Sequence, residues 1–129
     1  MKYLTNIEDK EADLDPRSLR ARVINRDKPV LRDTYFLVDF EKGGPSIGLK
    51  MGYTVIYATG TTTGHIHDDM EEVYYVISGE GTMVVGDEEF DIKAGDGLYV
   101  PPGLFHTTKQ KGNQPLQVLW VTGKIPAKG

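Results

Sequence analysis

The chain contains no cysteine. Disulfides, thiolate catalysis, Cys-ligated zinc and iron–sulfur clusters are therefore excluded together. At 129 residues it is long enough to close one hydrophobic core without such staples. It also lacks any apolar run near the roughly 18–20 residues that span a bilayer, so no membrane partner is expected. The N-terminal Met1 to Asn6 has no apolar signal core, and the expected location is the cytoplasm. Basic residues are in the minority, 15 against 19 acidic, and form no block; the net charge of −4 disfavours a nucleic-acid partner. A long amphipathic helical pattern is missing as well. Histidine is scarce: there are three.

What the chain does have is turns and short β-rich runs. Fifteen glycines supply backbone for tight reversals. Strands are expected at Thr34–Phe40, Tyr53–Thr59, Val73–Ile77, Thr82–Val85, Glu89–Ile92, Gly97–Val100 and Gln117–Val121. Gly86-Asp87-Glu88 reads as a hairpin turn, and Gly43-Gly44-Pro45 and Pro101-Pro102-Gly103 as breaks. This spacing predicts an all-β sandwich or barrel. The first 33 residues are polar; Asp15 and Pro16 suit the start of a short helical turn, and Ala21–Ile24 a short strand. Three segments follow: an arm at 1–33, a barrel at 34–122 and a tail at 123–129.

The three histidines are His65, His67 and His106. If His65 and His67 lie in a strand, both imidazoles project from one face, with Cα atoms roughly 7 Å apart. Two imidazoles so placed lean towards one ion at metal–nitrogen distances of about 2.1 Å. Asp68 to Glu71 then form a turn, Glu72 opens the returning strand, and His106 arrives from beyond Pro101-Pro102-Gly103. Each residue alone is weak evidence, because a lone histidine is usually a surface or satisfied core residue. The combination carries the reading.

These residues resemble the two motifs of the cupin superfamily. The first, G-x5-H-x-H-x3,4-E-x6-G, is approached by Gly60, His65-Ile66-His67, Glu72 and Gly79. The second, G-x5-P-x-G-x2-H-x3-N, is approached by Gly95, Pro101-Pro102-Gly103, His106 and Gln110. Gly60 stands one residue closer to His65 than the pattern asks, and Gln110 replaces the terminal asparagine. The six-residue step to Gly79 selects Glu72 over Glu71 as the carboxylate. Alternation then puts Tyr74 and Val76 on the inner face with Glu72, and Glu71 outside. With Asp68 and Asp69, Glu71 forms an acidic rim, more simply read as a solvated turn.

The resemblance implies a double-stranded β-helix, or jelly-roll barrel, with His65, His67, Glu72 and His106 holding a divalent transition metal. Fe, Mn, Co, Ni, Cu and Zn all suit three imidazoles and a carboxylate, whereas Ca and Mg prefer oxygen shells. The expected function is a metal-dependent enzyme acting on a small oxygen-rich molecule. Two chemistries fit: Lewis-acid isomerisation or elimination, and oxidative cleavage with O₂ by a dioxygenase. A non-catalytic ligand-binding module is the alternative, and a barrel with a vestigial site a third reading. Tyr53, Tyr57, Tyr74, Tyr99 and Gln110 are candidate pocket residues, each with plain core packing as its rival. The resemblance also implies a homodimer, with the N-terminal arm packing on or exchanged with a partner subunit.

Overall fold

The computed structural model describes residues 3–14, 32–58, 60–62, 64 and 66–126. The helical turn at Asp15 and the strand at Ala21–Ile24 lie outside the described residues. The described residues form eight strands: β1 (Arg32–Asp39), β2 (Leu49–Ile56), β3 (Met70–Ser78), β4 (Glu80–Val85), β5 (Glu88–Lys93), β6 (Gly97–Val100), β7 (His106–Lys111) and β8 (Leu116–Lys124). Among the described residues there is no α-helix, only short 3₁₀ turns at Ile7–Asp9 and Phe40–Lys42. No described helix is long and apolar enough to cross a membrane.

The strands make a five-stranded sheet, β1-β2-β8-β3-β6, and a three-stranded sheet, β5-β4-β7. This is the expected all-β jelly-roll barrel. Period-2 alternation decides which residues face inward. In β8, Leu116, Val118, Trp120 and Thr122 are buried while the residues between them are not. In β3, Glu72 and Val76 are buried and Glu71, Val73, Tyr75 and Ile77 are exposed. The core between the sheets holds Ile56, Val76, Met83, Ile92, Val100, Leu116, Val118 and Trp120.

Gly52 and Gly79 are among the glycines fixed by close approach. The Trp120 ring lies against Gly52 so tightly that a Cβ there would stand 2.0 Å from a ring carbon. Gly79, at φ 84°, ends β3 where a Cβ would meet the Pro115 carbonyl oxygen at 2.4 Å. The β4–β5 hairpin turns at Gly86-Asp87 as expected, with Val85 paired to Glu88. β2 begins at Leu49, earlier than expected, and β8 continues to Lys124, past the expected barrel limit at 122. The Lys124 N–H donates to the Gly48 carbonyl at 2.8 Å, which anchors that extension.

Candidate metal centre

His67 does not lie in a strand, contrary to the sequence expectation; it belongs to the irregular segment between β2 and β3. That segment is nonetheless fixed on β7. Thr62 N donates to the Thr108 carbonyl at 2.8 Å, and Gln110 N to the Gly60 carbonyl at 3.0 Å. The Thr62 hydroxyl accepts from Thr108 N at 2.9 Å. At the other end, Gly103 N donates to the His67 carbonyl at 2.7 Å. The turn before His106 therefore holds the loop that carries His67, so the two sequence motifs are tied through backbone.

Three side chains converge at this junction. One ligand atom from each of His67, Glu72 and His106 lies within 4.8 Å of the others. His106 Nε2 is 3.1 Å and His67 Nε2 3.9 Å from Glu72 Oε2. The imidazole rings of His67 and His106 stand 5.6 Å apart, centre to centre. Glu72 and His106 are buried and His67 is half-buried. His65 lies outside the described residues, so the fourth residue of the expected quartet has no assigned position.

Burial of Glu72 opposes its charge, yet attraction to His106 and Tyr74, and then to His67, outweighs that and holds its carboxyl below the usual value. A buried carboxylate so placed normally accepts several hydrogen bonds. Glu72 Oε2 makes none of acceptable geometry. An oxygen with that environment, facing two imidazole nitrogens, fits a divalent transition ion, which would satisfy it directly.

The cluster opens into a cavity of about 250 Å³ inside the five-stranded sheet. His67, Glu72 and Tyr74 line one part of it. Thr34, Thr54, Thr62, Thr108 and Thr122 supply hydroxyls, Asp13, Arg32 and Lys50 supply charge, and Phe36, Ile56, Met70, Val118 and Trp120 supply apolar wall. A polar chain runs along this wall: Arg32 donates to the Thr34 hydroxyl at 3.1 Å, Thr34 and Thr54 share a hydrogen bond at 3.0 Å, and the Trp120 indole donates to Thr54 at 2.9 Å.

Of the five candidate pocket residues, Tyr74 lines the cavity, and the other four do not. Tyr53 falls between the inward positions Gly52 and Thr54, and its hydroxyl donates to the Gln117 side chain. Tyr57 lies beyond the end of β2 and donates to Asp33 Oδ2 at 2.7 Å. Tyr99 points to the outer face and donates to Glu71 at 3.0 Å. Gln110 is buried, but its amide donates to the carbonyls of Lys111, Gly112 and Gln114 at 2.7–2.8 Å, clamping the β7–β8 turn. The sequence reading in turn missed Arg32, Asp13 and the inward threonines. The threonines had a signal, since Thr54 and Thr122 occupy alternate positions of their strands. Arg32 and Asp13 had none, because they sit in the segment read as an arm.

Comparison with known proteins identifies the family. The family model described as the cupin domain matches residues 53–122, more than half of the chain, and the chain belongs to that family. An uncharacterized protein of Methanocaldococcus jannaschii is 42% identical over 70 residues, covering 54% of this chain and 56% of that protein. A glucose-6-phosphate isomerase of Thermococcus kodakarensis is 35% identical over 104 residues, 70% of this chain and 53% of that protein. The chain spans about half the length of the curated relatives it matches. A Thermotoga maritima structure described as a predicted oxalate decarboxylase superposes with TM-score 0.73 at 19% identity, over 95% of this chain and 99% of the other. That likeness is one of fold.

Proposed function

We propose that this cupin is a metal-dependent enzyme acting on a small oxygen-rich molecule, with a divalent transition metal held by His65, His67, Glu72 and His106. The observation that carries the reading is Glu72 Oε2, buried without an acceptable hydrogen bond and within 3.1 Å and 3.9 Å of two imidazole nitrogens. When bound, such an ion supplies Lewis-acid polarisation of a carbonyl. Between the chemistries open to such a site, isomerisation is favoured by the relatives named glucose-6-phosphate isomerase.

The chain's own residues have definable parts in this. Burial first, then the charge of the Glu72 carboxylate and a hydrogen bond to it, keep the Tyr74 phenol well above its usual value, so at neutral pH it stays protonated and its oxygen is left to accept from a substrate hydroxyl. Arg32, on the same cavity, suits a substrate bearing an acidic group. Phe36, Trp120 and Val118 exclude water along the apolar wall. The substrate is accordingly a small hydroxylated carbonyl compound with an anionic group.

The assembly proposed is a homodimer. Val73, Tyr75, Ile77 and Tyr99 are exposed together on the outer face of β3 and β6, which adjoin in the sheet. The N-terminal arm stays a proposal as a partner-contacting segment; in the described part, Ala12 is buried and Asp13 N donates to the Thr34 carbonyl of its own chain at 2.6 Å.

The test loads the purified protein separately with Fe(II), Mn(II) and Zn(II) and supplies glucose 6-phosphate and other small hydroxy-carbonyl acids. Interconversion of aldose and ketose that a chelator abolishes is expected. Oxygen uptake in its place would move the reaction to the dioxygenase class. Ligand binding with no turnover under any metal would make the chain a binding module.

A further inference from the structure

We propose that Thr122 is a specificity-determining residue of the cavity, its hydroxyl reading a second oxygen of a ligand bound at the His67–Glu72–His106 cluster. The inference rests on the metal reading above and deepens it. Thr122 and Glu72 are register partners in the antiparallel β3–β8 ladder. Both side chains point into the barrel, which puts their Cβ atoms about 5 Å apart. Both line the cavity.

Thr122 is 3% exposed, and its Oγ1 makes no hydrogen bond to any described residue. Its neighbours around the cavity differ. Thr34 and Thr54 bond each other, Thr62 bonds Thr107 at 3.1 Å, and Thr108 reaches the Met83 sulfur at 2.9 Å. A buried hydroxyl with no partner weighs against folding. Valine has the same shape and the same β-branch, and would fill the position without that cost. A threonine there is therefore explained by something the hydroxyl meets when the cavity is filled.

The chemistry of that ligand follows from the placement. A hydroxyl both donates and accepts, so it suits an alcohol or a carbonyl oxygen. It stands one strand away from the carboxylate of the cluster, the reach of a small molecule with oxygens on adjacent carbons. Arg32 on the same cavity adds a preference for an acid. The ligand class is thus a 2-hydroxy acid or a hydroxy-carbonyl compound, discriminated from the analogue that lacks the hydroxyl.

The test compares wild type, Thr122→Val and Thr122→Ser. Each is titrated with Zn(II), and the Zn(II)-loaded proteins are then titrated with glycolate and with acetate; thermal unfolding is followed on the metal-free forms. Wild type is expected to favour glycolate. Thr122→Val should lower glycolate affinity about five- to tenfold, with Zn(II) and acetate affinities kept within about twofold. Thr122→Ser should restore glycolate binding. The metal-free Thr122→Val protein should melt at or above the wild-type temperature. Unchanged glycolate affinity in Thr122→Val with Zn(II) binding intact overturns the proposal alone, as does a wild type that binds Zn(II) but does not favour glycolate. Loss of several degrees in the metal-free variant, or its failure to fold, overturns it too, because the hydroxyl is then structural. A wild type that takes up no Zn(II) is loaded and titrated instead with whichever of Fe(II), Mn(II), Co(II), Ni(II) or Cu(II) it retains; one that retains none of the six overturns the metal reading and this proposal with it.

Discussion

His106 Nε2 stands 3.1 Å from Glu72 Oε2, with both side chains buried where the start of β7 meets β3. Out of line for a hydrogen bond, the pair is held by the ladders that carry it: Glu72 is paired with Thr122 of β8 and Val100 of β6, and His106 with Val85 of β4. Replacing Glu72 with its neutral isostere should therefore affect metal uptake more than folding. Glu72→Gln is expected to weaken divalent-metal affinity at least about tenfold, or about 1.4 kcal/mol. The metal-free variant should keep a cooperative melt, since a desolvated charge is removed with little change of volume. Calorimetric titration and circular dichroism check the two parts separately.

Gly52 faces the Trp120 ring with no room for a methyl group. Gly52→Ala must displace the indole and disturb its hydrogen bond to Thr54. A loss of about 1–3 kcal/mol in unfolding free energy is expected, as for other overpacked cores. Denaturant unfolding measures it. A stability equal to wild type would mean the ring is not seated there.

Tyr57 gives a pH prediction. Burial first, and then its hydrogen bond to Asp33, raise its pKa well above the ordinary phenol value. A raised pKa in the folded state means the protonated form is favoured by folding. The associated stability is complete below the unfolded value of about 10 and is lost as pH climbs through the folded value. Tyr57→Phe should cost about 1 kcal/mol near neutrality. That difference should shrink as pH rises above about 10. A difference between the two proteins that stays constant from neutral to strongly alkaline pH would contradict this assignment.

Tyr75 is half-exposed on the outer face of β3 between Val73 and Ile77, themselves exposed. If this face meets a second copy, wild type has twice the chain mass of 14.4 kDa in solution. Tyr75→Asp places a charge at the centre of that contact and should return the protein to the single-chain mass. Light scattering reads both, and a wild type at the single-chain mass contradicts the dimer.

Much of this fold was legible because alternation in a half-buried strand is a strong constraint. Parity alone put Tyr74 and Val76 inside with Glu72, and Glu71 outside, as the structure has them. The same parity excludes Tyr53 from the cavity, since Gly52 and Thr54 are its inward neighbours; aromatic chemistry drew attention to a residue whose position already argued against it. Gln110 shows a different limit. It shares an inward parity with His106 and Thr108, but three carbonyls of the following turn capture its amide, and such capture depends on a loop path that strand periodicity does not encode. The His67 segment was read as a strand because i, i+2 spacing suits one. Its conformation is set by hydrogen bonds to β7 and to Gly103, contacts remote in sequence. Arg32 escaped notice at the boundary of a polar segment, where only the pairing of β1 with β2 reveals that it reaches the cavity.

The central claim is that the cluster around Glu72 holds a metal, and metal stoichiometry tests it most directly. Protein purified without chelators, dialysed against Fe(II), Mn(II), Co(II), Ni(II), Cu(II) or Zn(II) in turn and analysed by mass spectrometry of the elements, should retain at least one of these ions at near one per chain. His106→Ala, shown to be folded by its circular dichroism, should retain markedly less. If wild type retains none of them, or if His106→Ala binds as well as wild type, the account is wrong.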